Sequence, residues 1–438
     1  MTPKVDSIKI RMYNTGSVGD CLLLLFYKAN TLTFKMLIDC GGWKAPPAKI
    51  TQCANDIAKT CSNKIDLLLV THQHEDHVSG FNLARPVFDN IQFGDVWLSW
   101  AENPKDGIAK KLKAAYGKGL TTLKNLAKKG LQETTAYENK MGQFPAMQKR
   151  LGAAKSSLAS GLSTIDFEES LSVGKNLKKG AKSTNDAMDY VKTRGKGNKP
   201  VYRTPGEIIQ NVKDAEGIKF YILGPPRDPD LKFIKKEIIT SEIYALNKSA
   251  RSKAASDTEL NSLYTSLGVT LQPGDSPFSK RFKMTNSEKR EFNKLYKSDE
   301  FKWRQIEKTS SDDAGQLAIA LTRLINNTSL AIAIEFESTG HVILLPADAQ
   351  SGNWLSWQEP QINDSFHKNG GRNITELLNN TVFYKVGHHG SHNGTASVHG
   401  LDKMTHPGLV AFIPLIKDKV PTAWKPEGFP DWLWVLNL

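Results

Sequence analysis

Residues 70–80 read VTHQHEDHVSG and directly follow the apolar run IDLLLV. That run has the length and composition of a buried β-strand, so the polar residues lie where the strand ends. His72, His74, Asp76 and His77 fall close together in a chain that has only 10 histidines. Neutral imidazoles and a carboxylate are the ligands that zinc-like ions prefer. We therefore predict a metal site at the end of this strand.

The spacing of these four residues favours two ions. His72 and His74 can converge on one ion from a loop, whereas Asp76 and His77 face the other way and can hold a second. A polar loop with fortuitous histidines is the alternative interpretation. The pattern H-x-H-x-D-H after an apolar strand is nevertheless among the more specific short motifs. We predict two divalent metal ions, zinc or manganese, as cofactors.

The bulk composition is that of a globular protein. Its 438 residues are 39% hydrophobic and 24% charged, which excludes disordered and fibrous classes. No stretch approaches the roughly 20 apolar residues that span a bilayer. The first residues run straight into a strand pattern without the apolar core of a signal peptide. We expect a cytoplasmic protein without a membrane partner, and reduced cysteines because no C-x-x-C spacing occurs.

The net charge of +13 is unevenly distributed along the chain. Residues 103–203 contain 21 Lys and Arg against 8 Asp and Glu, an excess as large as that of the whole chain. Such a segment is typical of a surface that binds a polyanion, and nucleic acid is the partner that we expect there. A well-solvated insertion without a partner is the alternative interpretation.

Strand-like runs cluster at both ends of the chain, and two long polar stretches lie between them. This order fits two domains, or one sheet-rich core with helical insertions, and the metal motif favours the core. We predict that residues 1–102 form its first half, 217–228 a core strand and 313–438 its second half. Residues 103–216 are predicted as a basic, partly helical insertion, and 229–312 as a polar helical insertion.

The H-x-H-x-D-H motif resembles that of the metallo-β-lactamase fold superfamily of metal-dependent hydrolases. The resemblance implies an α/β (α+β) fold, a four-layer αββα sandwich, here with two largely helical insertions. It implies that Asp348, which follows the strand HVILLP, is the aspartate that bridges the two ions. It also implies that His388 in KVGHHGSHNGT is a late ligand. Asp39 in LIDCGG matches an aspartate that supports the metal loop by hydrogen bonding.

One ligand that the resemblance implies is missing, because no histidine occurs in residues 78–340. Asp228 and Glu102 are candidates for an oxygen ligand in its place, and such a site should favour manganese. This gap, together with GSVGDCLLLLF, NNTSLAIAIEF and KVGHHGSHNGT, makes the chain most similar to the metallo-β-lactamase domain of the DNA-uptake protein ComEC. That resemblance covers about half of the chain and neither insertion, and it implies hydrolysis of phosphate esters.

The predicted mechanism is hydrolysis by a metal-activated water. Asp76, His389 and Asn327 form the predicted catalytic set, and a donor near the phosphate is expected to stabilise its developing charge. The candidates for contact with the substrate are Ser391, His392 and Asn393. The segment GSHNGT equally suits a turn that only holds the ligand loop.

Three functions stay open. The basic segment favours a nuclease or phosphodiesterase that cleaves nucleic acid. A hydrolase of small esters, lactones, β-lactams or cyclic nucleotides on the same fold is the alternative, with the insertions as a lid. A metal-binding scaffold without turnover is the third, since the loss of one ligand is how such proteins arise.

Overall fold

The computed structural model describes residues 3–141, 183–235, 285–296, 310–391 and 393–414. The chain divides into two compact units. Among the described residues, the second unit contains 119–141, 285–296 and 310–320, and the first contains the remainder. The sheets and the predicted metal site belong to the first unit.

The strands of the described residues are β1 (Ser7–Met12), β2 (Leu22–Lys28), β3 (Thr31–Ile38), β4 (Lys64–Leu69), β5 (Gln92–Ser99), β6 (Val201–Arg203), β7 (Ile208–Ile209), β8 (Ile218–Ile222), β9 (Ile332–Phe336), β10 (Val342–Leu345), β11 (Thr381–Lys385) and β12 (Val410–Phe412). The α-helices are α1 (Pro47–Cys61), α2 (Glu75–Leu83), α3 (Arg85–Phe88), α4 (Gly107–Met141), α5 (Thr184–Lys192), α6 (Asn286–Tyr296), α7 (Ser310–Asn326), α8 (Ser351–Trp357), α9 (Pro360–Lys368) and α10 (Ile374–Asn379). Short 3-10 turns follow at Trp100–Glu102, Gly387–Gly390 and Leu401–Lys403.

The strands form two mixed sheets. The first has the order β1-β2-β3-β4-β5-β6, antiparallel from β1 to β3 and parallel from β3 to β6. The second has the order β12-β11-β10-β9-β8-β7, antiparallel from β7 to β10 and parallel from β10 to β12. Parallel strands end at the same edge of their sheet, so the loops after β4 and β5 are neighbours. The predicted α/β (α+β) class is confirmed.

Buried strands explain the continuous apolar runs of the sequence. In β2, Leu22 and Leu24 belong to a buried cluster that includes residues of both sheets, such as Phe220. Leu23 and Leu25 belong to another cluster, together with residues of α1, α2 and α5. A third cluster joins the second sheet to α8, α9 and α10. Because successive strand residues point to opposite faces, a strand buried on both faces has no polar side.

The insertions differ in extent from the prediction. The predicted insertion 103–216 contains β6 and β7, yet β6 pairs with β5 and β7 pairs with β8. These strands have only 3 and 2 residues, too few to give a periodic pattern. Residues 313–320, predicted as core, belong to the second unit. The helical character predicted for part of the basic insertion is confirmed by α4, whereas residues 236–284 lie outside the described residues.

The described residues contain no helix that combines the length and the apolar character needed to cross a bilayer. Cys21, Cys40, Cys53 and Cys61 are buried free thiols. Burial raises the pKa of the Cys53 and Cys61 thiols to about 11, which keeps them in the unreactive protonated form.

Candidate metal centre

The histidine-rich loop follows β4, and α2 begins within it. His74 is the residue directly before α2, and His72, two residues earlier in the loop, is buried. The Nε2 atom of His72 lies 3.1 Å from the Nδ1 atom of His74. Two nitrogens on one tetrahedral zinc ion lie about 3.3 Å apart, given bonds of about 2.0–2.1 Å. This pair therefore has the spacing of two ligands to one ion.

The carboxylate of Asp348, three residues after β10, lies among four imidazoles. Its Oδ2 atom is 3.3 Å from His77 Nε2 and 3.8 Å from His389 Nε2. The same oxygen is 3.9 Å from His72 Nε2 and 4.0 Å from His388 Nε2. Two of these histidines follow β4 and two follow β11, so residues from both ends of the chain meet around one oxygen atom.

Four buried residues form the tightest group of ligating atoms. Asp76, His77, Asp348 and His389 each offer one atom, and these atoms lie within 4.8 Å of one another. His77 Nε2 and Asp348 Oδ1 are buried without a hydrogen-bond partner in the described part of the chain. Buried polar atoms that lack partners and face a common point are the atoms that a cation would satisfy. The imidazole and carboxylate donors fit zinc or manganese.

Asp39 holds the loop from the opposite side. Its Oδ2 atom is 2.8 Å from His77 Nδ1. The Oδ1 atom of Asp39 accepts a hydrogen bond from the amide of Thr71 at 2.8 Å, and Oδ2 accepts one from the Thr71 hydroxyl at 2.7 Å. Because His77 uses Nδ1 towards Asp39, its Nε2 atom is left to face Asp348. Asp39 thus has the supporting contacts that the resemblance implied for it.

Burial and charge divide the imidazoles into two classes. Burial lowers the pKa of His72 well below its usual value and that of His74 to about 4. Burial also opposes protonation of His77 and His389, but the negative charges of Asp348, Asp76 and Asp20 together outweigh burial and raise both pKa values. His72 and His74 are therefore neutral and ready to ligate, whereas protons compete with any cation for His77 and His389.

The carboxylates stay ionised at the centre. Burial would raise the pKa of Asp348, but His77 and His389 outweigh it and hold that pKa well below the usual range. For Asp76, too, burial is outweighed, by the positive charge of His77 and the hydrogen bond from His389, and its pKa is lowered. The His389 Nε2 atom lies 3.0 Å from Asp76 Oδ2. Ionised carboxylates are the form that binds a metal ion.

The backbone around the centre is left-handed at several residues other than glycine. The φ angle is 54° at Asp39, 54° at Ala347, 45° at His388 and 48° at His389. Such angles cost about 1–3 kcal/mol each and cluster at functional sites. The two successive positive angles after β11 turn the chain tightly, which brings His389 as well as His388 to the carboxylates.

This turn changes the roles predicted for the late histidines. We predicted His388 as the ligand and His389 as a catalytic neighbour or substrate contact. A nitrogen of each histidine lies within 4.0 Å of Asp348 Oδ2, and His389 belongs to the group of four buried residues. His388 lies at the rim, where its side chain is 23% exposed. Its Nε2 atom is 3.1 Å from Asn326 Nδ2, at the end of α7. Asn326, which the sequence analysis did not select, therefore reaches the site.

Asn327, a predicted catalytic residue, is part of the scaffold instead. Its side-chain amide donates to the carbonyl oxygen of Ile234 at 3.0 Å. Its Oδ1 atom accepts from the amide of Gln350 at 3.2 Å and from Asn353 Nδ2 at 2.9 Å. Asn326 and Asn327 are adjacent where α7 ends, so their side chains point in different directions.

The predicted substrate contacts near the late histidines are engaged in a turn. The Ser391 hydroxyl donates to Asn393 Oδ1 at 3.0 Å, and Asn393 is buried. These contacts support the turn interpretation of GSHNGT. His392 lies outside the described residues.

Neither candidate for the missing ligand contacts a site histidine in the described ranges. Glu102 instead forms ion pairs with Lys192 at 3.0 Å and Lys113 at 3.2 Å. The Oδ1 atom of Asp228 accepts from the backbone amides of Asp230 and Lys232. The carboxylate of Glu102 and the Oδ1 atom of Asp228 thus have structural partners, whereas Asp228 Oδ2 is buried without a hydrogen-bond partner among the described residues.

Besides Asn326, three residues near the centre were not predicted as site residues from the sequence. The Ser329 hydroxyl lies 3.3 Å from His72 Nδ1 and accepts from the amide of Asp348 at 3.3 Å. Asp20 and Lys385 form a buried ion pair of 2.5 Å. The available signal was a charged residue directly beside an apolar strand, GDCLLLL for Asp20 and TVFYK for Lys385.

A glycine lets the metal loop approach the loop after β3. A Cβ atom at Gly41 would lie 2.5 Å from backbone atoms of Asp76 and His77, closer than real contacts allow. The amide of Cys40 donates to the carbonyl oxygen of His77 at 2.9 Å, and the amide of Gly80 to that of Cys40 at 2.8 Å. These contacts fix the position of the whole loop.

The centre combines ionised carboxylates, neutral imidazoles and buried atoms without partners, a combination suited to holding a cation. Its geometry alone does not select a reaction. No protein-family model matches the chain, and comparisons with curated proteins and with solved structures likewise find no match.

Proposed function

We propose that the chain is a metal-dependent hydrolase, specifically a phosphodiesterase that cleaves nucleic acid. One observation carries the proposal: the Oδ2 atom of Asp348 lies within 4.0 Å of four imidazole nitrogens. A buried carboxylate is costly unless positive charge compensates it. A divalent ion bound there supplies a Lewis acid that activates water for attack on a phosphate ester.

We propose the αββα sandwich of the metallo-β-lactamase superfamily as the arrangement of the layers. Support comes from the buried clusters, one of which includes both sheets, while the others join each sheet to its own helices. The loops after β3, β4, β10 and β11 carry the site, as the resemblance implies. The similarity to the ComEC domain favours phosphate esters over lactams among substrates of this fold.

We assign two divalent ions, zinc or manganese, to the centre. One would be held by the group of four buried residues, with Asp348 shared between both ions. The neutral pair His72 and His74 would hold the second, together with Asp348. With Glu102 and Asp228 engaged elsewhere, this second site has fewer protein ligands and is expected to be the weaker one.

The exposed rim of the centre is suited to contact the substrate. His388 is its more exposed late histidine, and the amide of Asn326 lies beside it. Both side chains offer donors to phosphoryl oxygens, whose negative charge grows during hydrolysis. Burial lowers the pKa of His388, so this imidazole is neutral and suited to accept a proton.

The basic segment is attached close to the metal loop, which supports a polyanionic substrate. Its helix α5 packs against α2, where Gln73 Nε2 donates to Asn185 Oδ1 at 2.6 Å and Asn82 Nδ2 to the Ser183 carbonyl at 2.6 Å. Helix α4 begins shortly after β5, the strand next to β4. Exposed lysines on α4 would neutralise phosphates that extend from the centre.

The test is cleavage by protein stripped of metal with a chelator and then supplied with Zn²⁺ or Mn²⁺. Substrates are single- and double-stranded DNA, RNA, a chromogenic phosphodiester, a lactone and a β-lactam. We expect cleavage of nucleic acid with at least one ion, and none by the chelated protein or the Asp348→Asn variant. Turnover of the lactone or β-lactam alone would contradict the substrate class, and the absence of any bound metal would contradict the centre itself.

A further inference from the structure

A buried lysine lies directly behind the candidate metal centre. Lys385 ends β11 and is 2% exposed. Its Nζ atom is 2.5 Å from Asp20 Oδ2 and 3.4 Å from the carbonyl oxygen of Ala347. It is also 3.7 Å from Asp348 Oδ1, an ion-pair distance longer than a hydrogen bond, whereas Oδ2 is the oxygen of Asp348 nearest to the four imidazoles. Burial of an ammonium group is unfavourable, so its contacts call for an explanation.

Asp20 lies at ion-pair distance from two of the histidines, whose Nδ1 atoms are hydrogen-bonded to Asp39 (His77) and to the carbonyl oxygen of Pro414 (His389). Its Oδ2 atom lies 3.7 Å from His77 Nδ1, and its Oδ1 atom lies 3.7 Å from His389 Nδ1. The Nε2 atoms of both histidines point the other way, towards Asp76 and Asp348. The Asp20–Lys385 pair therefore contacts three of the four clustered residues from the side opposite the ligating atoms.

A second cation site is the competing explanation, since Asp20, Asp39 and His77 also bring ligating atoms within 4.8 Å of one another. Two contacts argue against it. The ammonium group of Lys385 already lies against Asp20, and His77 Nδ1 is already bonded to Asp39 at 2.8 Å. The protein thus supplies its own cation at this position.

Among the described residues, the surroundings of the pair are mostly apolar. A small cavity beside Asp20 and Lys385 is lined mostly by apolar side chains such as Leu22, Leu69 and Leu345. Charged groups next to apolar walls keep the contacts that they have, because any rotation would leave them unpaired.

We propose that Lys385 and Asp20 are positioning residues of the metal centre, an inference that rests on the proposed function. Lys385 holds Asp348 through Oδ1, so that Oδ2 is presented to the imidazoles. Asp20 holds Lys385 and faces the Nδ1 atoms of His77 and His389. Partners behind metal ligands typically change metal affinity about 10–100-fold when they are removed.

Charge and positioning predict opposite effects when the ammonium is removed. The loss of a positive charge near the centre would strengthen cation binding by electrostatics alone. The loss of positioning would weaken binding and change the coordination geometry. A weaker affinity after substitution of Lys385 therefore identifies the positioning role.

The experiment measures Co²⁺ affinity by chelator competition and the visible spectrum of bound Co²⁺, both without substrate. The variants are Lys385→Met and the double variant Asp20→Asn with Lys385→Met, which leaves no unpaired buried charge and so preserves folding. We expect both variants to bind Co²⁺ about 10–100-fold more weakly, with a shifted spectrum. The single variant, which loses only the positive charge, separates positioning from electrostatics. The matched control is Glu102→Gln with Lys192→Met, which alters a buried ion pair after β5 and should leave both readouts unchanged.

A folded double variant with wild-type Co²⁺ affinity and spectrum, or with tighter binding, would overturn the positioning role. Failure of the wild-type protein to bind Co²⁺ would instead overturn the proposed function. The two failures are therefore distinguishable in one set of titrations.

Discussion

The acidic side chains that follow two neighbouring strands of the first sheet have different kinds of partner. After β5, the carboxylate of Glu102 is buried but paired with Lys192 and Lys113. After the adjacent parallel strand β4, Asp76 is buried with only imidazoles within ion-pair distance in the described ranges. Two lysine ammonium groups thus neutralise the acid after β5, whereas the acid after β4 faces imidazole nitrogens.

The difference separates a structural ion pair from a ligand site. Burial opposes ionisation of Glu102, yet Lys192 and Lys113 outweigh it and lower its pKa, so the charge is compensated by the protein itself. At the β4 end, the carboxylate of Asp76 is compensated by His77 and His389, imidazoles that can exchange protons for metal. A buried ligating atom without a hydrogen-bond partner among the described residues, His77 Nε2, further distinguishes this candidate site from the ion pair of Glu102.

The largest expected effect is that of Asp348→Asn. The substitution removes the charge shared by four imidazoles, so we expect metal affinity to fall by more than about 100-fold, beyond what changes behind the ligands cost. Chelator competition and phosphodiester cleavage measure it. The matched control Glu102→Gln neutralises the acid after β5, and it should lower the free energy of unfolding by about 1–3 kcal/mol and leave metal affinity unchanged. Equal metal affinities for both variants would erase the distinction between the strand ends.

Gly41→Ala should have the next largest effect, because the added Cβ would lie 2.5 Å from the backbone of Asp76 and His77. We expect a loss of about 1–3 kcal/mol in the free energy of unfolding, together with weaker metal binding. A Cβ atom added at Gly117 in α4, after the other strand end, would have no heavy atom within 4 Å. Gly117→Ala should therefore raise stability by up to about 1 kcal/mol. Urea unfolding of both variants decides, and similar losses would show that the close approach at Gly41 is not limiting.

The sequence predicted the part of the site that is local. His72, His74, Asp76 and His77 are consecutive enough for a pattern to reveal them, and the apolar run before them placed the strand. Which of His388 and His389 lies among the buried residues depends on their two left-handed φ angles. Such angles cannot be predicted from residue types other than glycine.

Contacts between residues that are far apart in the chain could not be predicted from the sequence pattern. Asp20 and Lys385 are far apart in the chain, and each alone is an ordinary charged residue beside a strand. They lie at strands of different sheets, and only the packing of the two sheets around a shared buried cluster brings them to 2.5 Å. Likewise, β6 and β7 are too short for periodicity, and only their partners β5 and β8 define them.

The stability of the chelated protein should depend on pH in two directions. Burial lowers the pKa of His74 to about 4 in the folded state. Below about pH 6.5, His74 is protonated in the unfolded chain but not in the native state, so the free energy of unfolding falls as the pH decreases towards about 4. The carboxylates around His77 and His389 together outweigh burial and raise the pKa of both histidines, so stability falls again as pH rises above about 6.5. Unfolding at several pH values should thus show a maximum near about 6.5. His74→Gln should flatten the acid limb, and an unchanged acid limb would exclude His74 as its cause.

The smallest expected effect is at the exposed lysines of α4, just beyond the β5 end. Replacement of Lys110 and Lys111 by Gln removes charges that are exposed on the helix. If each contacts a phosphate, DNA affinity falls a few-fold and the slope of log affinity against log salt decreases by about 1 per contact. Lys113 lies on the same helix but pairs with Glu102 at 3.2 Å, so Lys113→Gln should change the salt slope less. A larger change at Lys113 than at its two neighbours would mean that the ion pair opens for the substrate, and that the closed strand end also takes part in binding.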